Sequence, residues 1–148
     1  MASFKPLFYF PLFFLLLTTC TKEPISEPDP IVGEWTLHSS IDENGEKIIW
    51  EDLVDIFFDR FGTNCMEYTV SVTKTLVTIK KVLVDYIEPK QCYLPIFYAY
   101  SWKKINGTDQ YEFKVGDNIT QYTIIFYESD QRMEWTEEVT NQVTVWIR

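Results

Sequence analysis

A period of two runs through most of this chain. "YTVSVT" sets Tyr68, Val70 and Val72 on one face against Thr69, Ser71 and Thr73. "YAYSWKK" groups Tyr98, Tyr100 and Trp102. "QYEFKV" groups Tyr111, Phe113 and Val115, and "QRMEWTE" groups Met133 and Trp135. "QVTVWIR" sets Val143, Val145 and Ile147 against Thr144 and Trp146. Successive side chains of a strand point to opposite faces, so each stretch is a half-buried strand. Asn44-Gly45, Asn106-Gly107 and Gly116-Asp117 lie between such stretches and supply turn chemistry. Only "IWEDLVDIFF" carries helical spacing, through Trp50, Leu53, Val54 and Phe57. The expected fold is therefore all-β: an antiparallel barrel of about eight strands, or alternatively a β-sandwich, with at most one short helix near 50–57.

The first residues belong to no such pattern. Leu7 to Leu17 is apolar throughout, with Pro11 inside it, and Lys5 is the only charge before it. A bilayer span needs about 20 apolar residues, so this run fits the apolar core of a secretory leader instead. Leu17-Thr18-Thr19-Cys20 resembles the lipobox of bacterial lipoproteins, in which the cysteine is acylated and becomes the first residue of the mature chain. It matches at Leu17, Thr18 and Cys20, and carries Thr19 where the family prefers Gly, Ala or Ser. The resemblance implies a signal peptide over 1–19, a lipid on Cys20, and a protein held in the bacterial cell envelope, at the outer membrane. From Thr21 to Pro30, three prolines alternate with Glu23, Glu27 and Asp29. Such a stretch cannot bury a core, so 20–30 reads as the acylated cysteine and a flexible tether, and 31–148 as one barrel domain.

The full chain has 13 basic and 22 acidic residues and a net charge of −9. Because Lys5 lies in the leader, the mature chain is more acidic still. That argues against nucleic acid and against docking on anionic lipid through basic residues. The membrane is reached through Cys20 alone. Cys65 and Cys92 then remain in an oxidising compartment, where a pair usually bonds. A metal site is the weaker alternative, since His38 is the only histidine and no C-x-x-C is present.

"IVGEWTL" resembles the G-x-W opening of lipocalins and other calycins. In that family the glycine and tryptophan lie on the first strand, and the tryptophan plugs one end of an eight-stranded barrel. Gly33 and Trp35 occupy those positions, and Arg148 is a loose counterpart of the family's late arginine. The lipobox, acidic tether, mid-chain cysteine pair and "YSWK" strand together resemble small lipocalin-like domains of bacterial lipoproteins. The resemblance implies a lipocalin-like barrel that binds a small molecule.

Catalytic patterns are missing. The sequence contains no G-x-S-x-G, no H-E-x-x-H and no phosphate loop. His38 adjoins Ser39, but strict alternation would turn the two to opposite faces. "DENGE", Asp42 to Glu46, reads as a solvated hairpin turn rather than a calcium loop. No enzyme activity, cofactor or metal is expected. What stands out is aromatic content, with 11 Phe, 9 Tyr and 5 Trp. Inside a barrel, Tyr98, Tyr100, Trp102, Tyr111 and Phe113 either fill the core or line a pocket, and the sequence leaves both open. The expected function is binding of a small apolar ligand in the barrel. The alternative is a protein-interaction or inhibitor module whose acidic surface meets a basic extracellular partner.

Overall fold

A computed structural model describes residues 28–85 and 91–148. The leader, Cys20 and most of the tether lie outside the described residues. The elements run in the order β1 (Gly33–Ile41), β2 (Lys47–Ile49), α1 (Trp50–Phe61), β3 (Glu67–Val72), β4 (Leu76–Val82), β5 (Ile96–Lys104), β6 (Gln110–Val115), β7 (Asn118–Tyr127), β8 (Arg132–Glu137) and β9 (Val143–Ile147). From β3 onward each strand pairs antiparallel with the next in the chain. β1 pairs with β3 on one edge and with β9 on the other, and this closes a ring of eight. The short β2 folds back on the far end of β1, outside that ring. The architecture is a closed eight-stranded antiparallel barrel, consistent with a lipocalin-like fold; it is not a sandwich.

Closure removes the free edges that an open sheet exposes. It also gives the chain an interior of one strand's reach, which side chains must fill or leave open. One end is filled. Trp35 is 1% exposed and donates its indole N–H to the Ile31 carbonyl at 2.8 Å. The Arg148 guanidinium lies over the Trp35 ring, 4.4 Å from its centroid. Gly33 has φ of +147°, and a Cβ there would stand 3.1 Å from the Arg148 guanidinium. The backbone conformation favours glycine here, and a side chain would also press on the arginine. Tyr111 is fully buried and donates its hydroxyl to Asp29 at 2.8 Å, and Asp29 also pairs with Lys104 at 3.7 Å. The last residues of the tether region are therefore docked on this closed end.

Two details depart from simple alternation. On β9, Trp146 faces the interior, where its ring lies 5.2 Å from that of Trp135, and Val145 takes the outer face. The valine face suggested by "QVTVWIR" is thus turned outward, because the indole fills interior volume that a valine would leave empty. On β1, the register with β9 shifts between Leu37 and Ser39, so His38 is an extra residue in the strand. After this β-bulge Ser39 faces outward and Ser40 inward. His38 and Ser39 consequently line the same outer recess instead of opposite faces.

The helix lies across the other end. It begins with Glu51 and Asp52 and ends with Arg60, an arrangement that suits its dipole. Gly62 terminates it in the left-handed conformation, φ 71°, and donates its N–H to the Phe58 carbonyl at 2.7 Å. None of its residues is fully buried. Cys65, just past the helix, is bonded to Cys92 ahead of β5, with Cα atoms 6.3 Å apart. That separation lies within the range a disulfide spans.

Candidate ligand-binding cavity

Between the filled end and α1 the interior is open. A cavity of about 310 Å³ remains there, at the lower limit of pockets that hold small ligands. Its floor is aromatic. Trp135 and Trp146 lie against each other, and Tyr68 meets Trp146 edge-on, with centroids 5.4 Å apart. Trp50 and Leu53 of α1 cover it from above, and Trp50 meets Tyr68 edge-on at 5.8 Å. Leu37, Ile48 and Ile79 complete the apolar lining. The Trp146 indole N–H is satisfied within the wall by the Thr144 hydroxyl at 2.9 Å, and that of Trp135 points at the Met133 sulfur at 3.0 Å.

Two walls bring charge into this apolar space. On one, Lys81 of β4 is the direct cross-strand partner of Tyr68 of β3, and its ammonium lies 5.1 Å from the centre of the Tyr68 ring. On the other, Glu137 of β8 is the cross-strand partner of Tyr122 of β7. β4 and β8 are four strands apart in a ring of eight, so the two charges face each other across the barrel. Burial raises the Tyr122 hydroxyl to about 12, and the Glu137 charge adds to this. Burial also raises the Tyr68 pKa, with smaller contributions from Tyr100 and Tyr98. Both phenols are therefore protonated donors at neutral pH.

The five aromatics considered as pocket lining lie elsewhere. Tyr111 and Phe113 are buried in the packed core, at 0% and 2% exposure. Trp102 stacks near Tyr111 and donates its indole N–H to the Thr73 carbonyl at 2.8 Å. Tyr100 packs against Phe113, and Tyr98 is half-exposed. None of the five borders the cavity. They face inward as their alternation requires, but Trp102, Tyr111 and Phe113 occupy the level that is filled. The residues that do border it had a sequence signal. Val77, Ile79 and Lys81 alternate along β4, so a lysine continues an apolar face. Trp135 and Glu137 do the same on β8.

A second recess, of about 420 Å³, lies on the outer wall beside His38, Ser39, Lys47 and Arg132. The buried Ser39 hydroxyl has no hydrogen-bond partner among the described residues. The "DENGE" stretch is a tight turn. Asp42 accepts the backbone N–H groups of Asn44 and Glu46 at 2.9 and 2.8 Å, and its pKa is lowered, chiefly by the Glu46 bond. Among the described residues no three His, Cys, Asp or Glu side chains converge as metal ligands, and no helix is long and apolar enough to cross a membrane.

Comparison with known proteins found no matching family model and no matching curated protein.

Proposed function

We propose that this protein is a lipid-anchored binding barrel of the bacterial cell envelope, which holds a small, largely apolar ligand in the cavity beneath α1. It acts by binding and not by catalysis. The observation that carries this reading is the unfilled, aromatic-floored space in a barrel whose other end is packed solid. An aromatic floor bordering a cavity of that size offers packing that an apolar ligand can take up. Protein-interaction through an acidic surface presupposed a filled barrel, so the open interior favours the ligand.

Trp50, Trp135 and Trp146 line the cavity, so binding can be read from intrinsic fluorescence. The neutral probe N-phenylnaphthylamine should bind saturably and shift that signal. Ser40 points into the cavity, and Ser40→Phe should weaken binding by at least about tenfold while the circular dichroism of the barrel persists. Saturable binding that Ser40→Phe leaves untouched would locate the probe elsewhere. No saturable binding at all would sink the proposal.

A further inference from the structure

The polar groups of the cavity are unevenly answered. Glu137 already accepts a hydrogen bond from the Thr140 hydroxyl at 2.9 Å. The Thr144 hydroxyl accepts the Trp146 indole. Lys81 has no such answer. Among the described residues, the ion pairs engage Lys80, Lys103 and Lys104 but not Lys81, whose ammonium touches only the face of Tyr68. The Tyr68 hydroxyl likewise donates to no group among the described residues. Yet the Tyr68 ring is held from two sides, by Trp50 and Trp146. One wall of an apolar cavity therefore presents a cation and a phenol donor, side by side on paired strands and already in position. Among the described residues, neither has an acceptor.

We propose that the cavity selects a ligand with a flat apolar body and one carboxylate head, the head on Lys81 and the Tyr68 hydroxyl and the body over Trp135 and Trp146. This rests on the ligand-binding reading above and adds the chemical class. A carboxylate satisfies the ammonium and the phenol together through charge-assisted bonds, which are shorter and stronger than neutral ones. The contact of Lys81 with the Tyr68 ring is kept, because that face and the ammonium's outer protons point in different directions. Glu137 sets the orientation. It repels an anion from the β8 wall and leaves only the β3–β4 wall for the head. A cationic ligand would meet the reverse: Lys81 already occupies the face of Tyr68 and would repel it.

Three probes with a common naphthyl ring separate the possibilities by calorimetry: naphthylacetate, naphthylethanol and naphthylethylamine. The acetate should bind about tenfold or more tighter than the alcohol, and the amine should bind weakest. Lys81→Met should bring the ratio of acetate to alcohol affinity close to one, and Tyr68→Phe should lower it partway. Tyr68→Phe also serves if Lys81→Met fails to fold. Equal binding of acetate and alcohol, a preference for the amine, or a ratio that neither substitution moves would each overturn the carboxylate assignment and leave the pocket standing. If none of the three probes binds, the pocket reading itself fails.

Discussion

Trp35 shows how much one side chain can organise. Its indole is donor to the Ile31 carbonyl, platform for the Arg148 guanidinium and neighbour of Phe126, whose ring lies 6.3 Å away. Gly33 leaves the space in which Arg148 reaches it. Truncation would open a void in the packed end and strand a buried carbonyl. Trp35→Ala should therefore cost about 3–5 kcal/mol of stability in denaturant unfolding. A loss below about 1 kcal/mol would mean that the site tolerates the change as a surface position does. His38 works at the same scale in the opposite manner. One extra residue in β1 reverses every side chain after it. That places Ser40 inside the cavity and Ser39 outside.

At the scale of elements, α1 and the disulfide belong together. α1 buries no residue fully and packs mainly on β1 and β2, with Trp50 set against Tyr68 of β3, so packing alone holds it loosely over the cavity. The Cys65–Cys92 bond ties the chain just beyond its end to the segment ahead of β5, across a sequence separation of 27. Loop-closure entropy assigns such a bond about 3.5 kcal/mol. Reduction, or the paired Cys65→Ser and Cys92→Ser change, should lower stability by roughly that amount. Alkylation of the folded, unreduced protein should leave both thiols unmodified. Two freely alkylated cysteines would contradict the bond, and an unchanged melting temperature after reduction would contradict its contribution.

On the scale of the whole molecule, the barrel has two unlike ends. The described chain starts at the filled end, where Asp29 is bound by Tyr111, Lys104 and the Ile31 N–H. An extended chain from Cys20 to Asp29 reaches at most about 32 Å. A lipid on Cys20 would thus attach the barrel from its filled end. Cys20→Ala should move the protein from the membrane fraction to the soluble one or leave an uncleaved precursor, with the barrel's circular dichroism unaltered. Incorporation of a fatty-acid label into the Cys20→Ala protein would refute acylation at this residue.

Alternation, turn residues and one helical spacing were enough to read an all-β fold, barrel or sandwich, with a short helix, because local geometry dictates which side chains share a face. Trp35 as a buried residue was an expectation from the resemblance of "IVGEWTL" to the G-x-W opening, and Cys65–Cys92 as a pair followed from cysteine arithmetic. The cavity was not legible. Tyr111 and Lys81 both sit on inward faces, yet one is packed solid and the other borders empty space. The difference is the height at which each strand crosses the barrel, and that depends on tilt and stagger between strands far apart in the chain. The face exchanged on β9 and the bulge at His38 have the same origin. Sequence determined which side chains share a face within a regular strand; only the closed ring decided which face turns inward and what stands opposite it, since filling is a property of volumes contributed by all eight strands together.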